Sequence, residues 1–111
     1  MDLKKLREAG GLVPSSLTKR DVQWERADGE KFDFSVHVRR LSFGDIERII
    51  DEEQKGRSRV ANLIASAIRL GENGEERLSY DDAFQLDPGL AKAFATAVSE
   101  VNELGKTPPT T

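Results

Sequence analysis

Alternating apolar and polar residues from Phe32 to Arg39 constrain the fold of this chain more than any other feature. Successive side chains of a β-strand point to opposite faces of the sheet, so the alternation predicts a strand with one buried face. After Leu41 the apolar spacing changes from two residues to about 3.6, which predicts a helix. The segment therefore predicts a strand, a corner and a helix in succession.

The corner carries a helix-start signal. Ser42 can accept a hydrogen bond from the amide three residues later, and the Asp45 carboxylate can reach back to the amide of Ser42. A helix over residues 43–54 follows from this capping pattern. The residues of the strand and helix that we expect in the core are Phe34, Val36, Val38, Phe43, Ile46 and Ile50.

A second alternating run, Thr18 to Arg26, precedes the first and is separated from it by a turn containing Asp28 and Gly29. Asp-Gly between two alternating runs is a strong hairpin signal, because both residues tolerate positive φ. We expect an antiparallel hairpin over about 18–41. Since a two-stranded ribbon is marginal alone, helices must cover its apolar face or strands of another subunit must join it, and its free edges could accept a partner's strand.

Helices account for the rest of the predicted fold, which is α+β. A short N-terminal helix starts at Asp2, stops at Gly10, and is expected to dock on the core rather than on a membrane. A bundle of three to four helices follows the hairpin, at about 43–54, 58–70, 80–86 and 88–104. One domain is expected over 1–104, with a disordered tail at 105–111.

Two of these helices have clear apolar faces. The helix over 58–70 carries the stripe Val60, Leu63, Ile64, Ala67 and Ile68, and the short helix over 80–86 holds Ala83, Phe84 and Leu86. The last helix has a broader face, which either completes the core of the monomer or packs against a second copy of the chain.

Charge and composition exclude several classes of function. Residues 1–40 hold 9 Lys/Arg and 7 Asp/Glu, net +2, whereas residues 41–111 hold 8 and 13, net −5, and no basic cluster is longer than a pair such as Arg39 and Arg40. This argues against nucleic-acid binding, which needs a basic stripe. No apolar run approaches the roughly 18 residues of a membrane span. The absence of cysteine excludes disulfides and thiolate metal sites and fits a reducing cytoplasm.

Few residues of the sequence are candidates for catalysis or metal binding. His37 is the only histidine and lies on the polar face of its strand, so a surface histidine is expected rather than a base or a metal ligand. No serine has a histidine nearby in sequence, and Gly10-Gly11 follows a helix rather than linking a strand to one. We expect no enzyme activity, no metal and no cofactor.

Charged residues near the first long helix are the candidate binding residues. Asp51, Glu52 and Glu53 lie near its C-terminus, where the helix dipole disfavours negative charge. Lys55, Arg57 and Arg59 offset them, or else the carboxylates form a docking surface for a basic partner. The polar-face residues that packing does not explain are also candidates for partner contact, namely His37, Arg39 and Arg40.

Four segments resemble the tail assembly chaperones of long-tailed bacteriophages and prophages. They are Met1–Gly10 (MDLKKLREAG), Val36–Glu47 (VHVRRLSFGDIE), Leu78–Ala83 (LSYDDA) and Leu86–Leu90 (LDPGL), which together extend over nearly the whole chain. The resemblance implies a small protein of the host bacterial cytoplasm that is not part of the finished virion. It also implies two partners: the tape measure protein, which it binds, and the tail tube protein, whose polymerisation around the tape measure it helps.

The resemblance gives a further meaning to Gly105 and Lys106. Many such phages make the chaperone in two lengths by a −1 ribosomal frameshift, often where the codons read Gly-Lys, so a longer form of this chain is a further expected partner, alongside a homo-oligomer. Alternatively, Gly105 is a helix cap and Lys106 a charge near the negative end of the helix dipole. The functional alternative is a general interaction or regulatory module, such as an adaptor or an antitoxin-like protein.

Overall fold

A four-stranded antiparallel sheet with helices packed against one face organises the computed structural model, which describes residues 1–103. The strands are β1 Leu17–Glu25, β2 Lys31–Arg39, β3 Ile68–Leu70 and β4 Glu76–Arg77, in that order across the sheet. The helices are α1 Leu3–Glu8, α2 Phe43–Gln54, α3 Arg59–Ala67, α4 Tyr80–Phe84 and α5 Pro88–Asn102. The predicted α+β class is confirmed. The predicted tail, with Gly105 and Lys106, lies outside the described residues.

The hairpin forms as the sequence predicts. β1 and β2 pair from Leu17 opposite Arg39 to Glu25 opposite Lys31. Gly29 has φ +92° at the turn, where a side chain would be strained. The Asp28 carboxylate accepts bonds from the Arg26 guanidinium and the Glu30 amide, and these bonds lower the pKa of Asp28.

The corner between β2 and α2 is fastened from two sides. The capping box is present: the Asp45 amide donates to Ser42 Oγ (3.2 Å), and the Ser42 amide donates to Asp45 Oδ2 (2.9 Å). At the end of α5, Asn102 Oδ1 accepts from the Leu41 amide (2.7 Å) and Asn102 Nδ2 donates to the Arg39 carbonyl (3.2 Å). The end of α5 is therefore joined to the corner between β2 and α2.

The sheet is wider than the predicted hairpin because the helix predicted over 58–70 ends at Ala67. Ile68–Leu70 is a strand instead, with Ile68 opposite Val38 and Arg69 opposite His37. The sequence did not distinguish the two states, because Ile68 continues the helical stripe and also starts an apolar–polar–apolar alternation ending at Leu70. Pairing with β2 satisfies the backbone groups of that strand, and this long-range contact decides the outcome.

One hydrophobic core lies between the sheet and α3, α4 and α5. Phe94 of α5 is 2% exposed and meets Phe34 of β2 edge to face, with ring centroids 6.2 Å apart. Asp87 joins the layers at the surface, since its carboxylate caps α5 and accepts a bond from Trp24 Nε1 (3.0 Å). The buried apolar residues are Val22, Val36, Val38, Leu41, Ile49, Ala61, Ile64, Ala67, Ile68, Ala83, Phe94, Ala97 and Val98.

Several apolar residues that were expected inside lie at the surface. Phe43 is 79% and Ile50 43% exposed, because α2 packs mainly on α3 and buries only Ile49 fully, with Ile46 half-buried. Val60 and Phe84 are likewise exposed, at the start of α3 and the end of α4. α1 buries none of its residues, so the expectation that it docks on the core is wrong.

Candidate functional site

The three candidate residues of β2 and its end are in different environments. His37 lies half-buried on the polar face beneath the β3–β4 loop, and its Nδ1 is buried without a hydrogen-bond partner in the described chain. Gly74 of that loop is packed so closely that a Cβ would come within 3.0 Å of His37 Cβ. His37 therefore packs against the β3–β4 loop, a contact that the sequence did not indicate.

Arg39 has internal partners that explain its position. Its Nε donates to the Ser66 carbonyl (3.1 Å), and its Nη1 donates to Asp45 Oδ2 (3.0 Å). Burial acts to raise the pKa of Asp45, but the bonds from Arg39 and from Ser42 outweigh it and lower the pKa to about 2. Arg40, the neighbouring residue, is exposed, and its side chain makes no hydrogen bond or ion pair with any residue from 1 to 103.

The carboxylates at the end of α2 are paired one to one. Asp51 lies 3.1 Å from Lys55 Nζ, Glu52 lies 3.5 Å from Arg57 Nε, and Glu53 lies 2.6 Å from Arg59 Nε. These pairs raise the pKa of Lys55 and Arg59. The geometry is that of the structural alternative, in which the three cations offset the three carboxylates. Whether this surface also docks a basic partner stays a prediction.

A row of basic side chains crosses the polar face of the sheet. Lys19 is opposite His37, His37 is opposite Arg69, and Arg69 is opposite Arg77. Directly opposed residues of neighbouring strands share a face, so all four side chains lie on the same side. The row includes one predicted site residue, His37, and joins it to three that the sequence reading did not single out.

Beside this row lies a cleft of about 370 Å³, here called the arginine cleft. It runs between the β3–β4 end of the sheet and the facing sides of α2, α3 and α4. Within the described part of the chain, four arginines and one carboxylate, that of Asp45, line this cleft. The lining residues are Arg39, Asp45, Arg48, Asn62, Ala65, Ser66, Arg69, Arg77, Leu78 and Tyr80.

Arg69 is the most enclosed of these arginines, at 6% exposed. Its Nη1 donates to the carbonyls of Ile68 (3.1 Å) and Ser66 (3.2 Å), and no carboxylate from residues 1–103 forms an ion pair with it. Burial, followed by the neighbouring charges of Arg77 and Arg39, lowers the pKa of Arg69. The sequence reading missed this residue because it placed Arg69 in a helix, far from β2.

A second surface with binding potential is the outer side of α2. Phe43 and Ile50 are two turns apart and share one face of the helix, next to the inward-facing Ile46 and Ile49. The apolar stripe of α2 is therefore wider than the part that α3 covers. At the far side of the sheet, β1 is an edge strand of nine residues with no strand beyond it among the described elements.

Residues 4–102 match the family model described as phage tail assembly chaperone, TAC. The chain belongs to the phage tail assembly chaperone family. No curated protein and no solved structure matches the chain significantly. The match extends from α1 to the end of α5, so membership rests on the whole described fold and not on one motif. It confirms the resemblance carried by the four sequence segments, and a tail assembly chaperone has phage tail proteins as partners.

Two further findings concern other classes of site. Within residues 1–103, no helix combines the length and hydropathy needed to cross a bilayer. In the same range, no group of three or more His, Asp or Glu side chains is arranged to hold a metal ion. The features that distinguish the surface of this tail assembly chaperone are the arginine cleft, the exposed side of α2 and the edge of β1.

Proposed function

We propose that this tail assembly chaperone binds the tape measure protein reversibly and thereby helps tail tube subunits polymerise around it. The activity is binding without chemistry, so the chain is not an enzyme and needs no cofactor. It acts in the cytoplasm of the host bacterium and leaves before the virion is complete. A longer frameshifted form and a homo-oligomer are further partners that this cycle would accommodate.

The exposed apolar side of α2 is the observation that carries the proposal. A tape measure protein is expected to be a long helical chain whose apolar stripes aggregate when uncovered, and a chaperone must cover them until tube subunits replace it. Phe43, at 79% exposed, and Ile50, at 43%, offer such a stripe a helix-to-helix contact. Aromatic anchors contribute most of the binding energy at such contacts.

The size of this surface is consistent with reversible binding. Two exposed side chains on one helix form a small contact, so we expect a Kd in the micromolar range for a single chaperone. This Kd corresponds to a binding free energy of about −8 kcal/mol. Several copies along one tape measure chain would gain by multivalency while each contact stays weak. Strand addition at the edge of β1 offers a second mode of contact.

Co-expression with the tape measure protein encoded beside this chain is the test. The wild-type chain should keep the tape measure protein soluble and co-purify with it. The double variant Phe43→Ser, Ile50→Ser should fold normally, because both side chains are exposed, but should recover at least tenfold less partner. Phe84→Ser on α4, where the ring is 65% exposed, is the matched control and should bind like the wild type.

Two results would contradict the proposal at different levels. A tape measure protein that stays soluble without this chain would overturn the chaperone function on this partner. Full recovery with the α2 double variant would leave the function standing and move the contact elsewhere. An adaptor or antitoxin-like module would instead recover host proteins and leave the tape measure protein behind.

A further inference from the structure

The arginine cleft contains a positive charge that the described chain does not neutralise. Asp45 is already engaged: it accepts from Arg39 at 3.0 Å and from the Ser42 amide at 2.9 Å, and Arg48 approaches it at 3.5 Å. Arg69 has only carbonyl partners, and Arg77 makes no side-chain hydrogen bond or ion pair with residues 1–103. A buried charge is costly unless an opposite charge compensates it.

The walls of the cleft also have unused hydrogen-bonding capacity. Asn62 of α3 is 7% exposed, and its Nδ2 is buried with no hydrogen-bond partner in the described residues. Leu78 and Tyr80 also line the cleft, and the Tyr80 ring is in contact with the Arg57 guanidinium (4.6 Å) and stacks on Phe84. Tyr80 is held in place because its hydroxyl accepts a bond from the Ser58 amide (2.9 Å).

We propose that the arginine cleft binds a carboxylate side chain from an acidic segment of a protein partner, with Arg69 and Arg77 as its ligands. The guanidinium group has a planar fork of donors that matches both oxygens of a carboxylate. Leu78, which also lines the cleft, offers apolar surface to the methylene stem of a glutamate. The bound carboxylate supplies the counter-charge that Arg69 and Arg77 lack.

A protein carboxylate fits the cleft better than a nucleic-acid phosphate. Nucleic-acid binding requires a basic track that follows many phosphates, whereas the unpaired cations here converge on a single space of about 370 Å³. The chain as a whole carries a net charge of −3, which opposes a long nucleic acid more than a short acidic segment that places one or two carboxylates in the cleft. The identity of the partner as a tail protein rests on the proposed function, but the carboxylate chemistry does not.

Fluorescence anisotropy with a labelled hexaglutamate peptide tests the cleft directly on the purified chain. The wild type should bind hexaglutamate and not hexaglutamine, and added salt should weaken the binding. Arg77→Gln should weaken binding about tenfold, because a charge-assisted bidentate contact is lost. The Arg77 side chain is exposed and makes no hydrogen bond or ion pair with residues 1–103, so this variant should fold.

Arg7→Gln is the matched control, since it removes the same charge from an exposed position on α1. It should bind hexaglutamate within twofold of the wild type. No measurable hexaglutamate binding, or equal binding by the wild type and Arg77→Gln, would overturn the proposal. Equally tight, Arg77-dependent binding of a thymidine hexanucleotide would also overturn it, in favour of a phosphate site.

This experiment separates the cleft from the chaperone function. Hexaglutamate binding that depends on Arg77 supports the carboxylate site even if the tape measure protein is not recovered in co-expression. Conversely, recovery of the tape measure protein by a chain that does not bind hexaglutamate would leave the α2 surface as the contact and remove the cleft from it.

Discussion

The charged clusters at the two ends of α2 differ in how their charges are balanced. At its C-terminal end, the carboxylates of Asp51, Glu52 and Glu53 each pair with one cation on the following loop or helix. At its N-terminal end, Asp45 is the one carboxylate among the described residues that lines the cleft, together with four arginines from four elements. The first cluster is balanced and local in sequence, whereas the second is unbalanced and is assembled by the tertiary fold. A charge that stays unpaired after folding therefore indicates a binding surface better than a charge that already has a partner.

The largest loss of stability is expected when the pair Arg39–Asp45 is broken, because this pair connects β2 to α2 within the unbalanced cluster. Arg39→Glu removes the bonds to Ser66 and Asp45 and places a carboxylate against another in a half-buried site, so the free energy of unfolding should fall by about 3 kcal/mol. Urea denaturation measures it. Arg40→Glu, at the exposed neighbouring position, should change stability by less than about 0.5 kcal/mol. Equal effects of the two variants would contradict the internal role of Arg39.

The second largest loss of stability is expected in acid, which protonates Asp45 and weakens the same pair. The pKa of Asp45 is lowered from 3.8 to about 2, so its contribution is fully present above the unfolded-state pKa of about 4 and is lost as pH falls toward 2. The shift corresponds to about 2 kcal/mol. Urea denaturation at pH 5, 4, 3 and 2 should follow this fall, and Asp45→Asn should flatten it. An unchanged slope in the variant would assign the acid sensitivity to other carboxylates.

The smallest changes in stability are expected from single surface charges, and they should differ between the balanced cluster and the unpaired arginines of the cleft. Glu53→Gln leaves Arg59 unpaired at the surface and should lower the free energy of unfolding by about 0.5 kcal/mol, since exposed ion pairs contribute little. Arg77→Gln should cost no stability, because the Arg77 side chain has no partner within residues 1–103 to lose and its charge opposes that of Arg69. Thermal unfolding in low salt resolves the difference. A clear loss with Arg77→Gln would reveal an internal partner and weaken the case for the cleft.

Local signals predicted most of the elements. Alternation and the Asp28-Gly29 turn predicted the hairpin, and Ser42 with Asp45 predicted the start of α2, because a turn and a cap depend on residues a few positions apart. The stripe of the 58–70 segment predicted α3 but ran three residues too far into β3. Apolar pattern alone also placed Phe43 and Ile50 inside, since a stripe does not state how much of it a neighbour covers.

The candidate sites were predicted less well. The sequence placed His37 and Arg39 on the polar face of β2, where the structure also has them, but it did not single out Arg69 and Arg77. Partner contact by His37 and Arg39 stays a prediction. Arg69 joins them only through pairing with β2, which is more than 30 residues earlier in the chain, and Arg77 joins them through its pairing with Arg69. Had Ile68 to Leu70 been assigned as a strand beside β2, the basic row would have followed from the register.

The sequence by itself determined the α+β class, the hairpin, the helix caps and the resemblance to tail assembly chaperones, because these depend on local spacing and short motifs. The tertiary structure decided that Ile68 begins a strand and that, among residues 1–103, the outer side of α2 stays uncovered and Arg69 is buried without a carboxylate partner. Each of these depends on which distant surfaces meet, and the free energy of that packing outweighs the small differences in local preference.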